Sequence, residues 1–204
     1  MKPKFEPNAE YQPKDFSFKN KKKVDEILAR YPSNQARSAI MPLLDLAQRQ
    51  VGEEGAKAKT PYGGWIPRAA MDEIADVVGQ PPIKVYEVAT FYSMFNLEPV
   101  GKNYIQICRT TPCWLRGSDK LSKVAKEVTG CKLGETSSDK KFTVIEVECL
   151  GACCNAPMIQ INDDYYEDLD EKNFRDLLNN LKNNKEIKKG SQIGRITSHP
   201  KRDN

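Results

Sequence analysis

The sequence predicts an α/β protein with a helical N-terminal bundle followed by a domain built on a small sheet. Two patterns predict this. Up to about residue 98, apolar side chains recur at helical spacing, and after it helical segments alternate with short β-type runs. The 204 residues suffice for one or two domains with a proper core. We therefore divide the chain into a flexible arm (1–19), a helical bundle (20–98), a sheet domain (99–185) and a basic extended tail (186–204).

The bundle is predicted to contain four helices whose ends are marked by Pro, Ser or Gly. Val24–Tyr31 forms a short helix that ends before Pro32. Ser38 is the expected N-cap of a second helix, and a loop follows from Gly52. Pro67 and Pro82 open the third and fourth helices. The inward-facing positions in the last three helices are Ile40, Leu43, Leu44, Ala47 and Val51, then Met71, Ile74, Ala75 and Val78, then Val85, Val88, Ala89 and Tyr92.

The second part begins near Pro99–Gly101 and alternates strands with helices. The expected strands are Tyr104–Cys108, Phe142–Glu148, Met158–Ile161 and Tyr165–Tyr166, the last two joined in a hairpin. Ser118 is the expected N-cap of a helix that Gly130 ends, and Asp170 starts the final helix. The order β-α-β-β-α matches a thioredoxin-like layer of helices on a small sheet.

Cysteine pairs follow two of the predicted strands. Cys108 and Cys113 stand in C-R-T-T-P-C, and Cys149 and Cys153 stand in C-L-G-A-C. Loops after strand ends carry side chains on a rigid scaffold. Four thiolates brought together in two pairs can hold a two-iron, two-sulfide cluster with one pair on each iron. The spacing favours an iron–sulfur cluster over zinc, which more often takes C-x-x-C pairs, and the unliganded state stays possible.

Two further cysteines make the ligand set ambiguous. Cys154 follows Cys153 directly, so either residue could complete the second pair. Cys131 is far in sequence from both pairs, and we expect it to be a small, buried or half-exposed thiol. Disulfide exchange of the thioredoxin kind needs C-x-x-C at a helix start, which this sequence lacks.

Composition argues against several other classes of function. A net charge of +4 is too small to indicate a nucleic-acid partner, and no apolar run approaches the ~20 residues of a membrane-spanning helix. His199, the single histidine, lies near the C-terminus, so a core histidine base is not supported. Residues 1–18 have no apolar signal core and carry acidic side chains. We expect the protein to work in a reducing cytoplasm, where clustered cysteines bind metal more often than they form disulfides.

Three segments resemble a known family. V-Y-E-V-A-T-F-Y-S-M-F-N-L (Val85–Leu97), T-P-C-W-L-R-G-S (Thr111–Ser118) and the run from Cys149 to Leu169 are similar to the thioredoxin-like [2Fe-2S] subunit of respiratory complex I, the NADH-quinone oxidoreductase. The resemblance extends from about Arg37 to Leu181. Related chains occur in NAD-linked hydrogenases and formate dehydrogenases. The alternative interpretation is that this chain is the equivalent subunit of one of these enzymes.

The resemblance implies a cofactor, a ligand set and partners. The cofactor is one [2Fe-2S] cluster held by Cys108, Cys113, Cys149 and Cys153. The partner is the subunit that binds FMN and NADH, with further peripheral-arm subunits of complex I around it. The cluster would exchange one electron at a time with the partner's flavin, and Arg109 and Arg116 would raise its reduction potential. The expected place is the cytoplasmic side of the bacterial inner membrane, in a peripheral position without membrane insertion.

Other interpretations fit the sequence less well. The segment Met71–Phe95 has the outline of a helix-turn-helix, so an iron–sulfur transcription regulator is a rival function. Its second helix, however, offers Lys84 and Glu87 where base reading needs Arg, Asn or Gln. A free ferredoxin that shuttles between enzymes would not need the N-terminal bundle. The fourth predicted helix and the residues after it carry an aromatic stretch, which consists of Tyr86, Phe91, Tyr92 and Phe95. We interpret this stretch as packed in the core, and the alternative interpretation is a docking surface for the flavin subunit.

Overall fold

The structure is a computed structural model that describes residues 12–199. The chain divides into two compact units, and the division falls between Val100 and Gly101. Each unit has a hydrophobic core of its own.

The N-terminal unit is helical. Its α-helices are α1 (Lys21–Leu28), α2 (Ile40–Gly55), α3 (Arg68–Val78) and α4 (Pro82–Phe91), with a 3-10 segment at Ser33–Ala39. The Asn20 side chain caps α1 by accepting a hydrogen bond from the Lys23 N–H. Gly79 ends α3 in the left-handed conformation. The four predicted helices are therefore confirmed, although the first spans Lys21–Leu28 and not Val24–Tyr31.

The limits of α2 differ from the prediction at both ends. Ser38 lies within the 3-10 segment, and the residue before α2 is Ala39, which makes no side-chain cap. The helix continues past Gly52 to Gly55, so the predicted loop starts later. A Cβ on Gly55 would lie 2.5 Å from the Tyr62 ring, so this glycine lets the ring pack on the helix end. Such tertiary packing outweighs the weak helix propensity of glycine.

The aromatic stretch after Tyr86 is only partly buried. Phe95 lies in the core, whereas Phe91 is 79% exposed and Tyr92 39% exposed. Core packing is thus wrong for Phe91, and the inward orientation predicted for Tyr92 is wrong. The reason is that α4 ends at Phe91, and Tyr92 has an extended backbone that turns it off the helical face.

The C-terminal unit contains a six-stranded sheet with the order β2-β3-β1-β4-β5-β6. Its elements are β1 (Asn103–Cys108), α5 (Thr111–Leu115), α6 (Ser118–Thr129), β2 (Glu135–Thr136), β3 (Phe142–Val147), β4 (Ile159–Ile161), β5 (Asp164–Glu167), α7 (Glu171–Lys182) and β6 (Gly190–Ser191). The predicted β-α-β-β-α series is confirmed. Short α5, β2 and β6 are additional elements.

Strand direction brings the cysteine loops together. β1 is parallel to β3, with Cys108 opposite Val147, and antiparallel to β4, with Ile107 opposite Ile159. Parallel neighbours end at the same edge of a sheet, so the segments after Cys108 and Val147 leave side by side. Gly101 permits this pairing at the other end, because a Cβ there would lie 2.6 Å from the Phe142 carbonyl carbon.

The core of this unit lies between the sheet and the two longer helices. Its members include Ile105, Ile107, Leu121, Val144, Ile159, Phe174 and Leu178. Asp170 caps α7 in a reciprocal capping box with Asn173. Ser118 was predicted as the N-cap of α6, but it does not occupy that position. It is the first residue of α6, after Gly117 in the left-handed conformation, and its buried Oγ has no hydrogen-bond partner among residues 12–199.

Part of the segment predicted as a basic extended tail, residues 186–204, is attached to the sheet. Its residues Gly190–Ser191 pair in parallel with β5, and Ser191 is buried. Arg195 then forms an ion pair with Asp168. These contacts are long-range, so the local Lys-rich composition gave no sign of them.

Candidate metal centre

The first cysteine pair lies at the end of β1. Cys108 is the last residue of this strand, and Cys113 lies in α5, a short helix missed by the sequence prediction. The two thiols are hydrogen-bonded to each other. Each residue is only 1% exposed. Pro112 at the start of α5 fixes the backbone that returns Cys113 toward Cys108.

The second cysteine pair lies in the loop after β3. Cys149 Sγ is 3.5 Å from Cys153 Sγ. Gly151 between them has φ +89°, a left-handed conformation that glycine adopts without strain, and its N–H donates to Cys149 Sγ at 3.4 Å. Both cysteines are exposed, in contrast to the first pair.

Thr110 connects the two pairs. Its Oγ1 is 3.5 Å from Cys108 Sγ and also hydrogen-bonds the Cys149 thiol. The backbone N–H of Leu150, from the second loop, is directed at the Cys108 thiol of the first. The structure therefore brings the pair Cys108 and Cys113 together with the pair Cys149 and Cys153.

The remaining cysteines occupy different positions. Cys154 is exposed, and it is Cys153 whose sulfur contacts Cys149. Cys131 is buried in the sheet core near the Phe142 carbonyl oxygen, as the sequence predicted. Within residues 12–199, no three His, Cys, Asp or Glu side chains are grouped as a single metal ion would need.

The local environment raises the pKa of one thiol in each pair and lowers the pKa of the other. Burial raises the pKa of Cys113 to about 12, and its hydrogen bond with Cys108 acts in the same direction. Burial also raises the pKa of Cys108, but hydrogen bonds from Thr110 and the Leu150 N–H outweigh it, and the net shift is downward. The Gly151 N–H lowers the pKa of Cys149, while the hydrogen bond with Cys149 raises the pKa of Cys153. Each pair thus contains one thiol whose thiolate form is stabilised.

Charge near the first pair is partly neutralised. Arg109 follows Cys108, and its Nη1 lies 2.7 Å from Glu146 Oε2. Ser122 Oγ donates to the other Glu146 oxygen at 2.9 Å. The sequence suggested that Arg109 raises the cluster's reduction potential. The paired carboxylate offsets much of that positive charge.

Apolar groups surround the first pair. Ala156 and Met158 are buried against Cys108 and Cys113, with Leu150 and Ala152 at the margin. Trp114 is 59% exposed, so it does not pack on the sheet. It borders an open groove of about 720 Å³ together with Leu115, Pro157 and Leu169.

Two anchors of the second loop were missed by the sequence analysis. The Tyr165 hydroxyl donates to the Leu150 carbonyl at 2.6 Å. Asn155, at the end of the 3-10 turn Cys153–Asn155, is buried and bonded to distant residues. Neither contact has a local sequence signal, because the partners lie 15 and 42 positions away.

The donor set fits a two-iron cluster. Each iron of such a cluster takes two protein thiolates, and the sulfurs attract hydrogen bonds from nearby N–H groups. The chain offers two thiol pairs, with N–H groups of Gly151 and Leu150 aimed at their sulfurs. Cys108 and Cys113 would hold one iron, and Cys149 and Cys153 the other.

The fold and this thiol arrangement define a ferredoxin-type protein with a thioredoxin-like sheet. The sequence model of the thioredoxin-like [2Fe-2S] ferredoxin family matches residues 24–182. The chain belongs to this family, whose members carry a [2Fe-2S] cluster.

Relatives at about half identity cover most of the chain. NADH dehydrogenase [ubiquinone] flavoprotein 2, mitochondrial, of Dictyostelium discoideum is 50% identical over 190 residues, which are 93% of this chain and 72% of the relative. A subunit of the NADH-quinone oxidoreductase of Rickettsia bellii is 52% identical over 171 residues, or 83% of this chain and 96% of the relative.

A solved structure shares the fold. An NAD+-reducing [NiFe]-hydrogenase in the H2-reduced state matches with a TM-score of 0.53 and 19% identity, over 67% of this chain and 23% of the hydrogenase chain. At that identity the likeness concerns the fold alone.

Proposed function

We propose that this chain is the one-electron carrier subunit of the NADH-oxidising module of an NADH:quinone oxidoreductase, with Cys108, Cys113, Cys149 and Cys153 as ligands of its [2Fe-2S] cluster. The observation that carries the proposal is the meeting of two thiol pairs at the end of the parallel strands β1 and β3. Two thiols per pair suit two irons better than one zinc ion, which needs its ligands around a single point.

The chain's own groups support this chemistry. When bound, the cluster accepts and returns one electron at a time. The four thiolates hold it, and the N–H groups of Leu150 and Gly151 offset the negative charge that reduction adds. The apolar contacts of Met158 and Ala156 exclude water from the buried pair. The exposed pair, Cys149 and Cys153, lies where a partner protein can approach.

The proposed partner is the subunit that binds FMN and NADH, within the peripheral arm of the complex. Support comes from the relatives, which are subunits of NADH dehydrogenases by name. Among residues 12–199, no helix combines the length and the apolar character needed to cross a bilayer. We propose a peripheral location, on the cytoplasmic face of a bacterial inner membrane.

Rapid-freeze electron paramagnetic resonance of the assembled module tests this function. After mixing with NADH, a reduced two-iron signal from this subunit should form within one turnover. The signal should be absent when the same module carries Cys108→Ser. A wild-type cluster that stays oxidised throughout turnover would contradict the proposed role.

A further inference from the structure

The residues after β6 fold back onto the second cysteine loop. Arg195 is the centre of this segment. Its Nη1 donates to Asp168 Oδ1 at 3.0 Å, while Nε and Nη2 donate to the carbonyls of His199 and Ser198 at 2.9 and 3.2 Å. One guanidinium therefore holds its own C-terminal neighbours in a turn and fixes that turn to the end of β5.

Asp168 is the buried acceptor in this arrangement. Its side chain is 5% exposed and that of Arg195 16%. The second carboxylate oxygen accepts from Ser191 Oγ at 2.7 Å and from Asn155 Nδ2 at 3.4 Å. A buried carboxylate with this many partners is expensive to disturb, because removing the arginine leaves an unpaired charge.

Asn155 connects this network with the cysteine loop. Its Nδ2 donates to the Thr197 carbonyl at 2.7 Å and to Glu167 Oε2 at 3.0 Å. Its backbone carbonyl accepts from the Asp168 N–H at 2.8 Å. Asn155 is the last residue of the 3-10 turn that begins with Cys153, so the C-terminal segment holds the far end of that turn.

The backbone hydrogen bonds of the turn itself are local. Cys153 and Cys154 are exposed, the Asn155 N–H donates to the Ala152 carbonyl at 3.0 Å, and the Ala156 N–H donates to the Cys153 carbonyl at 3.3 Å. On the other side, Tyr165 holds Leu150. Asn155 is thus held by Glu167 and Asp168 and by Thr197, and Asp168 is in turn held by Arg195, some forty residues after the turn.

We propose that Arg195 is a positioning residue for the cluster ligand Cys153. Acting through Asp168 and Asn155, the segment Ser191–His199 clamps the turn that carries this cysteine. The clamp keeps the second thiol pair in the arrangement that accepts iron. The inference rests on the proposed ligand set, but the clamp itself can be measured without a cluster.

Four variants of the full-length protein test the clamp, and the last of them, Arg195→Lys, enters only in the second readout. Arg195→Met removes the guanidinium and keeps the bulk of the side chain. The double variant Arg195→Met/Asp168→Asn also removes the buried charge that the first leaves unpaired, so it tests the clamp without that destabilising charge. Arg175→Met is the matched control, since it breaks an exposed ion pair with Glu127 in the last turn of α6.

Amide hydrogen exchange of the cluster-free protein is the first readout. Both Arg195 variants should exchange about tenfold faster at residues 150–156, since one lost charged hydrogen bond corresponds to roughly that factor. Exchange in β1 should stay unchanged, and Arg175→Met should match the wild type throughout. Unchanged exchange at 150–156 in both Arg195 variants would overturn the clamp. Equal acceleration in β1 would overturn it too, as general destabilisation.

Iron release to a chelator from the reconstituted protein is the second readout. Loss of visible absorbance should be about tenfold faster in the Arg195 variants, and Arg195→Lys should recover part of the difference. Equal rates in wild type and variants would overturn the positioning role. If the wild type itself forms no two-iron cluster, the proposed function fails, and the exchange experiment still decides on the clamp.

Discussion

At the scale of single residues, Glu146 controls the charge beside the first cysteine pair. It faces Arg109 at 2.7 Å and is held in place by Ser122. Its carboxylate is half-buried, so solvent screens it less than a fully exposed group. A negative charge near the cluster opposes reduction, because reduction adds another negative charge.

Glu146→Gln should raise the reduction potential of the cluster. The substitution removes one negative charge and leaves Arg109 without its carboxylate. The expected increase is on the order of 30 mV, for the charge of Glu146 acting on the charge added by reduction over about 10 Å in a partly screened environment. A spectroscopic redox titration of the reconstituted protein measures it. Glu127→Gln is the control, since it removes the same charge from an exposed ion pair at the far end of α6. A lower or unchanged potential in Glu146→Gln would refute this account of the local charge.

Tyr104 should lower the stability of the protein at alkaline pH. Burial of this side chain in β1 raises the pKa of its phenol well above the ordinary value of about 10. Above pH ~10 the phenol is ionised in the unfolded chain but still protonated in the folded one, so the unfolded chain binds fewer protons. The free energy of unfolding therefore falls as pH increases. Tyr104→Phe should remove this part of the loss between pH ~8 and ~11. Urea unfolding at both pH values measures it, and parallel losses in the two proteins would show that Tyr104 is not responsible.

At the scale of secondary-structure elements, the parallel pair β1–β3 determines where the cysteine loops meet. Gly101 allows the chain to enter β1 against the backbone of Phe142. Backbone atoms cannot move aside as a flexible side chain can, so a methyl group there forces the strands apart.

Gly101→Ala should therefore destabilise the protein by about 1–3 kcal/mol. Gly134→Ala is a suitable comparison, because a Cβ there meets nothing within 4 Å and only its φ of +81° is unfavourable. The cost of that conformation alone is about 1–2 kcal/mol. Denaturant unfolding ranks the two variants. A smaller loss for Gly101→Ala than for Gly134→Ala would mean that the close approach has little weight.

Elements with a clear local sequence pattern were predicted, and elements that depend on contacts with distant residues were missed. α6 and α7 were predicted because their apolar residues recur at helical spacing and Gly130 and Asp170 mark their ends. α5, β2 and β6 were missed, since runs of two to five residues carry too little periodicity. β6 exists only because β5 is beside it.

The site shows the same division between local and distant causes. The two cysteine pairs were visible as spacing, but spacing could not choose between Cys153 and Cys154. The 3-10 turn makes the difference, because it places the Cys153 sulfur against Cys149. The contacts of Asn155 and Arg195 were invisible, since they join residues far apart in the sequence.

At the scale of the whole molecule, exposed apolar side chains occur in both units. In the N-terminal unit Phe91, Ile83 and Met94 are exposed, and in the C-terminal unit Trp114 and Leu115. Aromatic and Met side chains are enriched in protein interfaces, so these residues favour a protein that works in an assembly.

Purification from the native cell should therefore recover this protein with a flavoprotein. Under mild conditions, size exclusion is expected to give a fraction with bound FMN and NADH-dependent reduction of an artificial acceptor. Cys154→Ser serves as a control that leaves the assembly intact. A protein that elutes alone, with no flavin in its fraction, would favour a free shuttle instead.

In the proposed centre, the sulfurs of Cys108, Cys113, Cys149 and Cys153 hold two irons. The decisive experiment is electron paramagnetic resonance of the reduced, reconstituted protein, with the wild type compared with Cys108→Ser, Cys153→Ser and Cys154→Ser. We expect a two-iron signal in the wild type and in Cys154→Ser, and its loss or strong alteration in the other two. A full signal in Cys153→Ser together with its loss in Cys154→Ser, or a colourless protein that takes up zinc alone, would contradict the account.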